Sequence, residues 1–313
     1  AMAGLSERAG ASSQDSFWTW RDIMYKFLAK LDPRQVGAIA AQLYLEMLKS
    51  GYTTVGEFHY LHHQADGQPY DDLGEMAHRV VDAARRTGIA MTLLPVLYTY
   101  SGFGSKPASS QQRRFVNAAD RFLRLYEGVH GRYNDDPQLR VGIAPHSIRA
   151  VSKGVLSETL TGVDRIDPSA PVHIHIAEQI KEVNDCLEWS EQRPITWLYN
   201  NFRVDERWCL VHATHINRME TWMVANSQAV VGICPTTEAN LGDGIFPLGL
   251  YIRGGGRFGI GSDSHISVSP VEELRWLEYV QRLRRKLRNI TASAKERNVG
   301  ARLWNATLTG GAQ

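Results

Sequence analysis

The chain is expected to fold as an α/β protein, a TIM-like (β/α)8 barrel short of one strand, forming a single partial domain over residues 1–313. Three observations predict this. Seven short apolar or β-branched runs alternate with helical segments, which argues for a parallel sheet joined by right-handed crossovers. The length and the 43% hydrophobic content can fill one large barrel, which needs roughly 250 residues. Histidines and carboxylates recur where those runs end, at the face on which barrels carry their sites.

In chain order, Ser16-Phe17-Trp18-Thr19-Trp20-Arg21-Asp22 opens a helical pattern that runs to Leu28. Asp32-Pro33 opens a second helix, with Val36, Ile39, Leu43, Met47 and Leu48 on one face, and Gly51 closes it. The first strand-like run is Thr53 to Phe58, followed by His59-Tyr60-Leu61-His62-His63. A helix from Asp72 to Thr87 stops at Gly88. Ala90 to Tyr98 is almost wholly apolar, as expected of a strand covered on both faces. A helix is expected over Gln111–Tyr126 and a strand over Arg140–Ala144. A helix from Ser152 then precedes the strand around His173 and His175, and helices follow near Ile180–Trp189 and Pro194–Tyr199. Next come the strand Trp208–His212, a helix Arg218–Ala225, the strand Ala229–Pro235 and a long loop through Asn240–Gly244. The strand Arg257–Gly261 and helices Pro270–Arg288 and Ala292–Trp304 complete the pattern. Seven strands leave an eight-stranded barrel one short, so the runs at 53–58 and 257–261 are expected to be edges.

The charge is nearly balanced, with 35 basic and 33 acidic residues and a net +2, so neither nucleic acid nor a membrane surface is an expected partner. The cluster Arg282-Leu283-Arg284-Arg285-Lys286-Leu287-Arg288 reads as a solvated helix face. No apolar run has the length of a spanning helix, and Ala1–Arg8 has no signal-peptide pattern. Three widely spaced cysteines, Cys186, Cys209 and Cys234, suit a reduced, cytoplasmic protein.

The strand ends collect Glu57, His59 and Tyr60, then Tyr98 and Tyr100, His146 and Arg149, His175 and Glu178, His212 and His215, Cys234 and Glu238, and Asp263 and His265. Alternation puts His173 and His175 on one face of the run Val172–Ile176. That run suits a metal site with Glu178 beside it, and equally a buried strand whose histidines are satisfied by hydrogen bonds. His173, one layer deeper, reads as an interior histidine. His175, His212 and Asp263 close three different strands. A histidine and an aspartate there can bind a divalent ion, leaving a histidine and Glu178 to handle protons. Zinc lowers the pKa of a bound water to about 7. Taken alone, His212 also suits a partner for a backbone carbonyl, and Asp263 a cap of the next segment. Tyr98 and Tyr100 suit a pocket wall or the packing beneath it.

His175-x-x-Glu178, His212 at the next strand end, the loop Cys234-Pro235-Thr236-Thr237-Glu238-Ala239-Asn240-Leu241-Gly242-Asp243-Gly244 and Gly261-Ser262-Asp263-Ser264 together resemble the deaminase branch of the amidohydrolase superfamily. Three longer blocks are similar to the formimidoylglutamate deiminases of histidine degradation: Ser16–Arg21, Gly56–His63 and Ala144–Ala150. The resemblance implies a metallo-dependent hydrolase barrel that converts N-formimino-L-glutamate and water to N-formyl-L-glutamate and ammonia. It implies His175 and Asp263 as metal ligands, and Glu178, His212 and Asp263 as the proton-handling residues. Arg21 and Arg149, helped by Tyr60 and His146, would hold a small dicarboxylate substrate, since planar guanidinium groups suit carboxylates. Each arginine also suits a structural ion pair or a solvated position. One divalent metal is implied, zinc first, with iron sharing the same ligands.

The family's His-x-His pair on strand one is not found here. Ala1-Met2-Ala3-Gly4-Leu5 resembles the sequence just after it, so two further histidine ligands are expected upstream of Ala1. Strand one and the accessory β-sandwich are therefore expected to be missing from a chain cut at both ends. Two other readings stand beside this one: a deaminase of a purine- or pterin-like amidine, and a metal-free, non-catalytic fragment. Open strand edges also allow a homodimer.

Overall fold

In the computed structural model, residues 17–313 are described, with side chains from Trp20 onward. The stretch Ala1–Leu5, on which the expected truncation rests, lies outside them, as does Ser16. The chain divides into two compact units, Ala1–His173 and Ile174–Gln313.

In the first unit, helix α1 (Phe17–Leu28) leads to α2 (Pro33–Ser50). Asp32 and Gln35 close a capping box around Pro33, and Gly51 ends α2 at φ 103°. Strand β1 (Thr54–His59), α3 (Glu75–Thr87) and β2 (Ala90–Leu97) follow, then a small hairpin of β3 (Tyr100–Gly102) and β4 (Lys106–Pro107) that the sequence pattern did not reveal. Helix α4 is Ala119–Tyr133 and not Gln111–Tyr126. The stretch before it makes a 3-10 turn at Ser110–Gln112 and is then held by long-range bonds: Arg114 O accepts from the amides of His62 and His63, and Asn117 N donates to Tyr98 O. The expected strand 140–144 is broken into β5 (Leu139–Val141) and β6 (Ala144–Pro145). The break falls at Gly142, where a Cβ would lie 2.5 Å from Pro171 O. Helix α5 (Lys153–Ile166), capped by Ser152, ends at the approach to β7 (Val172–Ile176). The parallel order is β1-β2-β5, with β6 also on β2, and β1 lies at one end.

In the second unit, α6 (Ile180–Ser190) and α7 (Pro194–Asn201) precede β8 (Trp208–His212), α8 (Arg218–Ser227) and β9 (Val230–Ile233). The expected loop through 240–244 is present, but its first two residues, Asn240 and Leu241, belong to a short helix. Pro235 opens α9 (Pro235–Leu241), Gly242 ends it, and α10 (Leu248–Arg253) follows. Each is too short to show a helical period. Next come β10 (Arg257–Ile260), α11 (Pro270–Arg285) and α12 (Val299–Gly311). Helix α12 starts seven residues later than the expected Ala292, where Asn298 caps it. Glu278 instead ties the preceding turn through the amides of Ile290 and Thr291. The parallel order is β10-β9-β8-β7, which leaves β10 as a terminal strand, as expected for 257–261. Residues 283–288 are exposed, as expected of a solvated basic face.

The fold is thus an α/β alternation of the TIM type, with its described parallel strands in two four-stranded sheets and no closed ring among them. No helix among the described residues is long and apolar enough to cross a membrane.

Candidate active site

Four of the expected residues belong to the second unit. His175 sits on β7, and its ring stacks on that of His212 with centroids 5.6 Å apart. His212 ends β8, is 1% exposed, and faces three carboxylates. Its Nδ1 lies 3.2 Å from Glu238, and its Nε2 lies 3.7 Å from Glu178 and 3.9 Å from Asp263. Burial opposes a charge on this ring. The Glu178 carboxylate, with contacts to Cys234 and Glu238, overcomes that and holds the imidazole protonated well above its usual range.

The local backbone is bent to make this arrangement. Ala177, His212, Ala213 and Asp263 all have positive φ, from 46° to 68°, at the end of β8 or within three residues after β7, β8 and β10. Non-glycine residues in that region cost about 1–3 kcal/mol each and persist where the surroundings over-determine them. Glu182 supplies such a constraint at the β7 end, accepting from the amides of both Ala177 and Glu178. Asp243 accepts a hydrogen bond from the Gln179 side-chain amide, and its carboxyl is pushed up to about 8 by burial, with Glu178 adding to the effect. Neither Glu182 nor Asp243 stands out in the sequence; the i+4 spacing of Glu182 from Glu178 was the one available signal.

The other four belong to the first unit. The ring of Tyr60 meets that of His146 at 5.8 Å, and His146 meets Tyr98 at 4.8 Å. Phe115 lies against Tyr25, Tyr60 and Tyr98. Arg21 stands over the Tyr25 ring at 5.6 Å. Burial pushes the Tyr98 hydroxyl up and Tyr25 adds to this, while Arg149 and Arg21 pull it back, so both guanidinium groups lie within electrostatic reach of Tyr98. Gln112, 2% exposed, donates to the hydroxyls of Tyr98 and Tyr25. The four expected substrate residues thus gather around Tyr98, with Tyr25, Gln112 and Phe115 as members that sequence reasoning missed.

Several strand-end residues do other work. Glu57 accepts a hydrogen bond from Tyr44 of α2 at 2.8 Å. His62 and His63 donate to the carbonyls of Val96 and Val116, and burial holds both rings neutral. His173 packs edge-on against Phe58 at 5.8 Å and is kept neutral by burial, as expected of an interior histidine.

The donor set in the second unit fits a divalent metal. Ligand atoms of His212, Cys234 and Asp263 lie within 4.8 Å of one another, and His175 adds a second imidazole on the His212 ring. Imidazole and carboxylate donors around an anion-rich pocket suit zinc or iron.

A formimidoylglutamate deiminase of Pseudomonas aeruginosa is 52% identical over 314 residues, covering 100% of this chain and 68% of the relative. The crystal structure of an amidohydrolase from Brucella melitensis superposes with a TM-score of 0.95 at 49% identity, over 99% of this chain and 68% of that one. An adenosine deaminase from Xanthomonas campestris with bound zinc shares the fold, with a TM-score of 0.75 at 21% identity, over 99% of this chain and 63% of that one. The chain thus spans about two thirds of the length of these proteins. A sequence profile described as the amidohydrolase family matches residues 5–297, and the chain belongs to that family.

Proposed function

We propose that the protein hydrolyses the formimino C–N bond of N-formimino-L-glutamate, giving N-formyl-L-glutamate and ammonia. The observation that carries this is the 52% identity to a formimidoylglutamate deiminase over the whole of this chain and 68% of that protein. The arginine-bearing aromatic cluster supports it, because a dicarboxylate substrate requires fixed cationic groups.

His175 and Asp263 would hold one divalent ion, zinc in the first instance, which when bound makes water a usable nucleophile near neutral pH. His212 is placed to exchange a proton with Glu178 and Asp263, both of which its Nε2 faces. Glu178 carries that proton to the imino nitrogen until ammonia leaves, and Asp263 shares the acid–base work. Arg21 and Arg149, with Tyr60 and His146, take the substrate carboxylates. The three unpaired cysteines fit a reducing, cytoplasmic setting, and the terminal strands β1 and β10 fit a homodimer.

The assay is ammonia release from N-formimino-L-glutamate by the zinc-loaded protein. No release would sink the reading. Arg149→Met should lower kcat/KM by about 10- to 150-fold, the value of one charged hydrogen bond. A small effect, with good turnover of a purine or pterin amidine, would favour a ring deaminase.

A further inference from the structure

We infer that His212, Cys234 and Asp263 form a second, thiolate-containing cation site, overlapping the proposed hydrolytic one, in which a thiophilic divalent ion such as cadmium or excess zinc acts as an inhibitor. One ligand atom of each residue lies within 4.8 Å of the other two. A tetrahedral ion with a Zn–S bond of about 2.3 Å and N or O bonds near 2.1 Å spaces its donors by roughly 3.4–3.6 Å. Small rotamer adjustments therefore suffice. The three residues close successive strands β8, β9 and β10, so their spacing is set by the sheet.

The surroundings favour a cation. Glu238 and Glu178 lie at 3.2 and 3.7 Å from the His212 ring, beside Asp263. The backbone amide of Cys234 donates to Glu238 at 2.9 Å, which fixes the cysteine against the imidazole. Cys234 and His212 are buried, whereas 38% of the Asp263 side chain is exposed, giving an ion a way in from solvent. The proposed hydrolysis gives the Cys234 sulfur no task. Thiolate is the softest donor in the pocket and prefers zinc and cadmium over hard ions. Binding displaces both the Cys234 thiol proton and the His212 imidazolium proton to solvent. Inhibition follows because Asp263 would be shared with the hydrolytic metal; that part alone rests on the proposed function.

Cadmium titrated into the metal-free full chain should produce a sulfur-to-cadmium charge-transfer band in the ultraviolet that saturates at one ion per chain. The band should vanish in Cys234→Ser and survive in Cys186→Ser and Cys209→Ser. Cys234→Ser and His212→Asn should each weaken cadmium binding at least tenfold, with unchanged circular dichroism. In the zinc-loaded enzyme, Cys234→Ser should raise the excess zinc needed for half-inhibition by a similar factor. A band that persists in Cys234→Ser, cadmium binding with no band, or unchanged affinity in His212→Asn would each overturn the site. Loss of the formimino-glutamate assay would leave the band untouched, so the two readings fail separately.

Discussion

Replacing Glu57 with glutamine tests whether a strand-end carboxyl outside the active site sets the pH dependence of stability. Glu57 lies on β1 against the buried Tyr44, whose hydroxyl donates to it at 2.8 Å. Burial raises its carboxyl from an ordinary 4.5 to about 7, and the Tyr44 hydrogen bond pulls it only partly back. The folded chain therefore holds this proton up to about pH 7, while the unfolded chain releases it near 4.5. The stabilisation is fully present below pH 4.5 and is lost as pH rises through 7. At about 1.36 kcal/mol per pH unit, that interval is worth roughly 3 kcal/mol. Glutamine keeps an acceptor for Tyr44 and never ionises. Glu57→Gln should therefore match the wild type at pH 4.5 and exceed its stability by about 2–3 kcal/mol at pH 8. Urea unfolding of both proteins at pH 4.5, 6 and 8 gives the difference, in which other titrating groups cancel. A difference that stays constant with pH, or grows towards acid, would refute the reasoning.

Two further perturbations act through backbone contacts. A Cβ at Gly310 would lie 2.0 Å from Phe258 O and 2.9 Å from Phe258 N, both backbone atoms of β10, so Gly310→Ala must push α12 off the strand. The expected cost is about 2–3 kcal/mol, seen as a melting temperature lower by several degrees, and an unchanged melting curve would contradict the packing. The buried Arg114 donates to His63 O at 3.0 Å and Leu31 O at 2.9 Å, and also to Leu28 O, tying the end of α1 to the loop after β1. Arg114→Met should cost about 1–3 kcal/mol per carbonyl left buried without a donor, and should raise KM more than it lowers kcat, because α1 carries Arg21; an equal fall in kcat with KM unchanged would refute the link.

Capping chemistry and β-branched runs were readable without coordinates. Asp32-Pro33, Gly51 and Ser152 act locally, and the helices begin or end beside them. Trp208–His212 is a strand over the expected residues. The failures have two causes: distant partners and elements too short to show a period. Residues 113–117 look helical alone, yet their backbone serves His62, His63 and Tyr98. Helices α9 and α10 have seven and six residues, less than two turns, and show no period. The site was legible because its chemistry stands at strand ends. Alternation says that neighbouring residues oppose one another, but not which face is inside, so Glu57 was grouped with Tyr60 although it turns to Tyr44.

The histidines show what separates a chemical role from a structural one in this chain. His62, His63 and His173 are polar groups in a protein interior, where burial penalises the charged ring and lowers its pKa. His62 and His63 donate to carbonyls that end a strand or an extended segment, which satisfies the backbone and needs no charge. His212 is equally buried, yet it is pushed the opposite way by Glu178, Cys234 and Glu238, and its own backbone sits at φ 68°. Three carboxylates around one left-handed histidine make a strongly negative pocket. Such an excess of negative charge around one imidazole supports the proposed divalent-ion site at the ends of β7, β8 and β10.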